Sequence, residues 1–174
     1  MGCLFGKKEF RIILLGLNGA GKKTIISKLK RTTFKSNPKY VGHILEYCNY
    51  KNLNIILWET YGQYKLRALW KHFYQNTAGV IFVVDSNDKE SIEDAAIELQ
   101  KALNEEELKD CCILVMANKE DINSALSKDE VTEKLGMENL QGKKWLVEST
   151  SAITGKGLQE GLDWILSELL KKKK

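Results

Sequence analysis

The feature that most constrains this chain is a glycine-rich segment between an apolar run and a helical pattern. The apolar run is Phe10 to Leu15, the segment is Gly16-Leu17-Asn18-Gly19-Ala20-Gly21-Lys22-Lys23-Thr24, and Ile25 to Lys30 has helical spacing. A strand, a glycine-rich turn and a helix in this order direct backbone N–H groups and the positive end of the helix dipole at an anion. The segment therefore predicts a phosphate-binding loop, in which Lys22 would reach the outer phosphates of a nucleoside triphosphate.

One position of this loop departs from the pattern G-x-x-x-x-G-K-[ST]. The pattern has a hydroxyl after the lysine as a ligand of Mg²⁺, and this chain has Lys23 there. On this motif alone, a glycine-rich turn that binds no ligand remains an alternative, because short motifs also occur by chance.

Composition and charge describe a globular chain with a near-neutral body. Of 174 residues, 43% are hydrophobic and 29% are charged, which is ordinary for a soluble domain. The formal net charge is +4, and the four lysines at 171–174 account for all of it. This distribution argues against nucleic acid as the main partner. We predict one domain over residues 1–174, with a short N-terminal segment at 1–7 and a basic tail at 171–174.

The cysteine pattern and the hydropathy indicate a cytoplasmic protein. Cys3, Cys48, Cys111 and Cys112 lack metal-ligand spacing, and two of them are adjacent, which is not typical of a disulfide framework. No stretch approaches the length of a transmembrane helix. No small-residue cleavage site follows the apolar run near the N-terminus, so we predict no signal peptide.

The N-terminus, Met1-Gly2-Cys3-Leu4-Phe5-Gly6, indicates lipid modification. Gly2 occupies the acceptor position for myristate, and Cys3 beside it is a candidate for palmitate. The hydroxyl that the motif prefers at position 6 is absent, so an unmodified terminus remains open. One acyl chain binds a membrane weakly, and Cys3 or the C-terminal lysines would supply a second signal for peripheral membrane contact. Alternatively, those lysines only stabilise the end of the last helix.

Apolar runs alternate with helical patterns over the rest of the chain, which predicts an α/β fold with a parallel-rich sheet. Thr32 to Lys39, with the only proline, is predicted as a loop. The further predicted strands are Val41 to Tyr47, Leu53 to Trp58, Gly79 to Val84, Cys111 to Ala117 and Trp145 to Val147. The further predicted helices are Glu90 to Leu103 and Leu158 to Leu170. Because ligands bind at the carboxyl ends of parallel strands, motifs at those ends are expected to share one site.

Asn118-Lys119-Glu120-Asp121 directly follows one of these strands and predicts guanine recognition. An aspartate there can accept two hydrogen bonds from the N–H edge of guanine, a donor pair that adenine lacks. The stem of Lys119 would lie over the base. After the last strand, the small residues of Ser149-Thr150-Ser151-Ala152 would let a backbone N–H reach the guanine oxygen. Each pattern is weak alone, but the combination with the phosphate loop is specific.

Four motifs together resemble the nucleotide-binding set of small GTPases: Gly16 to Lys22, Trp58-Glu59-Thr60-Tyr61-Gly62-Gln63, Asn118 to Asp121, and Ser151-Ala152. Three further segments are similar to the ADP-ribosylation factor and ADP-ribosylation-factor-like branch, namely 65–77, 82–88 and 161–164. The resemblance implies a three-layer P-loop fold with a six-stranded, mostly parallel sheet and helices on both faces. It also implies binding of GDP and GTP, recruitment of membrane-traffic effectors, and a peripheral place on the Golgi or another endomembrane.

The resemblance also implies which residues bind the nucleotide. They are Asn18, Gly19, Ala20, Gly21, Lys22, Lys23, Thr24, Gly62, Asn118, Lys119, Asp121, Ser151 and Ala152. Gly62 would offer its N–H to the γ-phosphate, and Gln63 stands where the family has its water-positioning glutamine. Trp58 and Phe73 correspond to effector-facing aromatic residues of the family, with His43 in place of a phenylalanine. Core packing of Trp58 and Phe73 is the alternative.

Three departures from the family concern the magnesium site. Lys23 replaces a threonine that ligates Mg²⁺, and Glu59 replaces an aspartate. The first-switch segment, Pro38-Lys39-Tyr40-Val41-Gly42, contains no threonine or serine. Mg²⁺ requires near-octahedral oxygen ligands, and an ammonium group repels it. We therefore expect Lys23 to occupy the place of the metal beside the β-phosphate, with Glu59 as its candidate partner, and hydrolysis to be slow.

Three functions stay open at this point. The first is a guanine-nucleotide switch with impaired Mg²⁺-dependent hydrolysis. The second is a pseudo-GTPase scaffold that does not cycle nucleotide. The third is a conventional Mg²⁺-dependent GTPase, in which Thr24 or Glu59 serves as a substitute ligand.

Overall fold

The computed structural model describes residues 8–41, 45–51 and 53–172, and over 35–41 it describes the backbone only. Within these residues the chain forms seven strands and four α-helices. The strands are β1 (Glu9–Gly16), β2 (Lys35–Val41), β3 (Leu45–Tyr50), β4 (Leu53–Glu59), β5 (Gly79–Asp85), β6 (Cys112–Asn118) and β7 (Trp145–Ser149). The α-helices are α1 (Lys22–Thr32), α2 (Ile92–Leu103), α3 (Lys128–Lys134) and α4 (Leu158–Lys172). A 3₁₀ helix, Tyr64–Phe73, lies between β4 and β5.

The strands form one sheet in the order β2-β3-β4-β1-β5-β6-β7. Within this sheet, β4, β1, β5, β6 and β7 pair in parallel. Strand β3 is antiparallel to both of its neighbours, β2 and β4. The carboxyl ends of parallel strands lie at one edge of a sheet. The segments that follow β1, β4, β5, β6 and β7 are therefore neighbours in space, and these segments carry the sequence motifs.

The side chains of β1 divide between two hydrophobic layers, because successive residues of a strand point to opposite faces. Phe10, Ile12 and Leu14 belong to the layer that α1 and α4 cover. Ile13 and Leu15 belong to the opposite layer, which α2 and α3 cover. Strand β1 is thus apolar on both faces, as expected for the centre of a sheet that is covered on both sides.

The predicted α/β fold, with a mostly parallel sheet and helices on both faces, is confirmed. The sheet has seven strands, one more than the six that the family resemblance implied. The prediction of a loop over Thr32 to Lys39 is wrong in its second half, because β2 begins at Lys35 and pairs with β3. The strand predicted from Val41 begins at Leu45. An edge strand pairs through its backbone on one side only and needs no continuous apolar pattern, so its sequence carries a weak signal.

Helix α3 is absent from the sequence-based prediction, although its start carries a recognisable signal. The Ser127 hydroxyl accepts a hydrogen bond from the Glu130 N–H at 3.2 Å, and the Glu130 carboxylate accepts one from the Ser127 N–H at 2.8 Å. This reciprocal capping box stabilises the first turn of a helix of seven residues. Val131 is the buried residue of that helix, so a helical pattern is hard to see.

Candidate nucleotide site

The loop between β1 and α1 requires glycine at two places for steric reasons. Gly16 has φ +144°, and a Cβ there would lie 2.4 Å from the Val83 carbonyl oxygen. Gly21 has φ +99°, and a Cβ there would lie 2.4 Å from the Asn118 side-chain nitrogen. Positive φ and close approach both favour glycine. The loop consequently folds tightly against the ends of β5 and β6.

Lys22 crosses this loop as the first residue of α1. Its side chain is buried, and Nζ donates hydrogen bonds to the carbonyls of Gly16 at 2.7 Å and Leu17 at 2.9 Å. Burial lowers the pKa of Lys22 to about 8, although the negative charge of Glu59 acts in the opposite direction. The amine therefore lies at the centre of the loop, where a phosphate oxygen can replace the carbonyls as its partner.

Lys23 and Thr24, the next residues of α1, are both exposed. Glu59 ends β4 and is half-buried; burial raises the pKa of its carboxyl, while the charges of Lys23 and Lys22 lower it. The ion pairs among the described residues do not include Lys23 with Glu59. The expected partnership of these two side chains is thus an interaction at longer range and not a direct contact.

The groups at the expected metal positions do not fit Mg²⁺. An ammonium at Lys23 has no lone pair to donate, so of these two groups only the half-buried Glu59 carboxyl could offer an oxygen to a metal. Thr24 alone offers a hydroxyl on α1 next to the loop. The described part of the chain contains no group of three or more His, Cys, Asp or Glu placed to hold a metal ion. The side chains of Lys39 and Tyr40 lie outside the described set.

Gly62 lies against the phosphate loop. Its carbonyl accepts a hydrogen bond from the Asn18 N–H at 3.0 Å. Thr60, two residues before Gly62, is buried, and its hydroxyl donates to the Leu14 carbonyl at 2.9 Å, which ties the end of β4 to β1. Gln63 is exposed and directly precedes the 3₁₀ helix. The predicted γ-phosphate residue and the predicted catalytic residue therefore lie beside the loop.

Asn118 joins three of the four nucleotide motifs through one buried side chain. Its amide nitrogen donates to the Ala20 carbonyl at 2.9 Å. Its amide oxygen accepts from the Ala152 N–H at 3.0 Å and from the Thr150 hydroxyl at 3.4 Å. The phosphate loop, the segment after β6 and the segment after β7 are consequently held as one unit. The sequence motif indicates Asn118 as a site residue, but this bridging role is visible only in the structure.

The segment after β6 also contains the residues proposed to hold the base. Lys119 has φ +67°, and its ammonium pairs with the Asp85 carboxylate at the end of β5. Asp121 is exposed two residues further on. Ser151 is buried, and its hydroxyl accepts from the Thr154 N–H at 3.1 Å. The sequence did not single out Asp85 as the partner of Lys119, although its position at a strand end beside Asn118 is a usable signal.

Trp58 and Phe73 contact each other and are partly buried. Their ring centroids are 5.3 Å apart, and the Arg11 guanidinium lies 4.5 Å from the Trp58 ring centroid. Arg11 also donates to the Phe73 carbonyl at 3.0 Å. Both side chains thus pack against the second core layer and are partly exposed. His43, like Gly2 and Cys3, lies outside the described residues.

No helix in the described ranges has both the length and the apolar character needed to cross a bilayer.

The comparisons with known proteins agree with this geometry. A sequence model of the ADP-ribosylation factor family matches residues 1–169. Among solved structures, the Arl6 (BBS3) small GTPase from Trypanosoma brucei, determined with the bound nucleotide analogue GppNp, is 27% identical. That match covers 94% of this chain and 99% of the Arl6 chain, with a TM-score of 0.84. The phosphate loop, the strand order and the family match agree, and we conclude that the chain belongs to the ADP-ribosylation factor family of small guanine-nucleotide-binding proteins.

Proposed function

We propose that this protein is a guanine-nucleotide switch whose hydrolysis of GTP is slow because Lys23 replaces a ligand of the magnesium ion. One observation carries the proposal: two consecutive lysines begin α1, of which Lys22 is buried inside the loop and Lys23 is exposed at its rim. A lysine can offset phosphate charge, but it cannot bridge and orient two phosphate oxygens as a metal does. Binding would therefore persist without Mg²⁺, while hydrolysis by Gln63 would lose charge neutralisation in its transition state.

The bound nucleotide is GDP or GTP in this proposal. Asp121 accepts hydrogen bonds from guanine, the stem of Lys119 covers the base, and the segment that contains Ser151 and Ala152 lies beside the guanine oxygen. In the free protein the Ala152 N–H donates to the Asn118 amide oxygen. The bridging role of Asn118 supports this arrangement, because it holds the base-binding segments at the phosphate loop. The bound GppNp of the Trypanosoma brucei relative supports it as well.

The test measures affinity for GDP and hydrolysis of GTP in excess Mg²⁺ and in excess chelator. For the wild-type protein we expect the GDP affinity to change by less than about threefold on chelation. Lys23→Thr restores a hydroxyl, and we expect it to make GDP affinity at least about tenfold dependent on Mg²⁺ and to accelerate hydrolysis. Arg31→Thr is the matched control, since it removes a cation from the exposed end of the same helix.

Other outcomes of this test identify the alternatives. A large loss of GDP affinity on chelation of the wild-type protein would show a conventional Mg²⁺-dependent GTPase with Thr24 or Glu59 as substitute ligand. Failure to bind any guanine nucleotide would show a pseudo-GTPase scaffold. Either result contradicts the proposed switch.

We also propose that the switch works at a membrane and recruits membrane-traffic effectors through Trp58, Phe73 and His43. Myristate on Gly2 or palmitate on Cys3 would supply one attachment, and the C-terminal lysines a second. The run of four consecutive lysines at 171–174 supports this role, because clustered cations are attracted to anionic lipid. Sedimentation with phosphatidylserine vesicles should fall when residues 171–174 are changed to glutamine, and unchanged sedimentation would contradict this role of the tail.

A further inference from the structure

Gly62 packs directly against the phosphate loop, with no space for a side chain. A Cβ on Gly62 would lie 2.3 Å from the Asn18 backbone nitrogen and 2.3 Å from the Leu17 carbonyl carbon. The hydrogen bond from the Asn18 N–H to the Gly62 carbonyl fixes this contact from the side of the loop. The orientation of the Gly62 peptide is therefore tied to the phosphate loop.

The Gly62 carbonyl also accepts a second hydrogen bond. The Arg67 Nε, on the 3₁₀ helix, donates to the Gly62 carbonyl at 3.1 Å. A guanidinium has its donors in a rigid plane, so a bond at one nitrogen orients the others. The Arg67 guanidinium also lies over the ring of Tyr64, with its central carbon 5.3 Å from the ring centroid. The Arg67 side chain is only 11% exposed, which makes its hydrogen bonds stronger than equivalent hydrogen bonds at the surface.

The other end of Arg67 is anchored on α2. Nη1 donates to the Asp94 carboxylate at 2.7 Å and lies 3.7 Å from the Glu98 carboxylate. Asp94 and Glu98 are four residues apart and so lie on one face of the helix. Glu98 is itself buried and also pairs with Lys101 at 3.0 Å. A continuous set of polar contacts thus leads from α2 through Arg67 and Gly62 to Asn18.

We propose that Arg67 is a positioning residue that holds the Gly62 peptide at the phosphate loop and thereby favours binding of GTP over GDP. This inference rests on the proposed function, in which the Gly62 N–H faces the γ-phosphate. A peptide that is held in place before binding loses less conformational freedom when the terminal phosphate arrives. GDP lacks that phosphate, so its affinity depends little on Gly62. The positive charge of Arg67 also acts at the site, since it is one of the charges that lower the pKa of Lys22.

The two carboxylates of α2 determine how firmly the Arg67 side chain is fixed. Asp94 and Glu98 keep the guanidinium in the orientation that serves Gly62. A cavity of about 440 Å³ lies between the 3₁₀ helix and α2, and Arg67, Trp70 and Glu98 line it. Any change on α2 that displaces Asp94 would consequently reach Asn18 through the Arg67 side chain and the Gly62 carbonyl.

The first experiment compares the affinities for GDP and a non-hydrolysable GTP analogue by fluorescence titration. For Arg67→Ala we expect the analogue to bind about tenfold more weakly, and GDP affinity to change by less than about threefold. Asp94→Asn and the charge-preserving Arg67→Lys should show the same selective loss. Lys101→Gln is the control, because it alters a partner of Glu98 but leaves the contacts of Arg67 with Gly62 and Asp94 intact. Equal losses for both nucleotides, or no loss in Arg67→Ala, would overturn the proposal.

The second experiment needs no nucleotide and separates this proposal from the proposed function. Amide hydrogen exchange of the free protein should become about tenfold faster at Asn18 in Arg67→Ala, since its acceptor is no longer held. Exchange at Thr60, whose N–H donates to the Leu14 carbonyl at 3.1 Å, should not change. If the wild-type protein binds no guanine nucleotide, the proposed function fails and the inference about GTP fails with it. An unchanged rate of amide exchange at Asn18 in Arg67→Ala would contradict the positioning role even if nucleotide binds.

Discussion

The Asn118 side-chain amide donates a hydrogen bond to the Ala20 carbonyl at 2.9 Å, across 98 residues of chain. The same side chain accepts from the Ala152 N–H, so its two polar atoms serve two different segments. Backbone groups that are buried need partners, and here one side chain supplies them for both segments. The proposed base site and the phosphate loop thus depend on each other through Asn118.

Removal of this side chain should destabilise the whole site. In Asn118→Ala, the Ala20 carbonyl and the Ala152 N–H lose their partner in a buried region, and we expect the free energy of unfolding to fall by about 2–4 kcal/mol. Urea denaturation followed by circular dichroism measures this change. Asn123→Ala is the control, because Asn123 is exposed on the same loop. Equal stability of the two variants would contradict the bridging role.

Removal of the Asp121 carboxylate should abolish the preference for guanine. We expect Asp121→Ala to reduce the ratio of GDP to ADP affinity at least about a hundredfold, because two hydrogen bonds to a charged acceptor are lost. Competition between the two nucleotides for a fluorescent analogue measures the ratio. Glu120→Ala removes the adjacent carboxylate, which pairs with Lys156 at 2.9 Å, and should leave the ratio unchanged. A wild-type ratio in Asp121→Ala would refute the assignment.

Nucleotide affinity should fall as the pH rises through the pKa of Lys22. In the free protein that pKa is about 8, below the ordinary value of 10.5, because burial disfavours the charged amine. A bound phosphate requires the protonated form, so above pH 8 binding must take up a proton and affinity declines by up to about tenfold per pH unit. Calorimetry between pH 7 and 9 in two buffers with different ionisation enthalpies measures the proton uptake.

The control for this prediction is Lys22→Arg, which keeps the charge at every pH in that range. It should bind with an affinity that varies less with pH than that of the wild-type protein. The folded-state pKa is lower than the unfolded one, so the unfolded state binds more protons between the two values. For this group alone, stability of the free protein therefore rises with pH from about 8 to 10.5. Absence of proton uptake at pH 9 would show that Lys22 is not the phosphate-binding amine.

Three of the four thiols should resist alkylation in the folded protein. Burial raises the pKa of Cys48 and Cys112 to about 12 and that of Cys111 to about 11, so almost no thiolate is present at neutral pH. Iodoacetamide treatment followed by peptide mass spectrometry should label these residues only after denaturation. Rapid labelling of Cys111 in the native state would contradict the burial of that strand end.

The candidate site could be predicted from the sequence because its motifs are local. Gly16, Gly19, Gly21 and Lys22 lie in one short stretch from the end of β1 to the start of α1, and short-range sterics decide its conformation. Asn118 and Asp121 could be placed beside it because they follow a parallel strand, and strand ends of one direction meet at one edge. The strand β2 could not be predicted, since its pairing with β3 depends on backbone bonds and not on an apolar pattern.

By itself the sequence determined the parallel α/β architecture and the glycine-rich loop, because hydrophobic periodicity and backbone sterics are encoded over a few residues. It also shows directly that Lys23 stands where the loop pattern has a hydroxyl. Only the tertiary structure decided which side chains connect these pieces. The contacts of Asn118 with Ala20, of Gly62 with Asn18 and of Arg67 with Asp94 depend on strand register and on how a helix is rotated against the sheet. These quantities are set by packing of the whole core, and no short stretch of sequence specifies them.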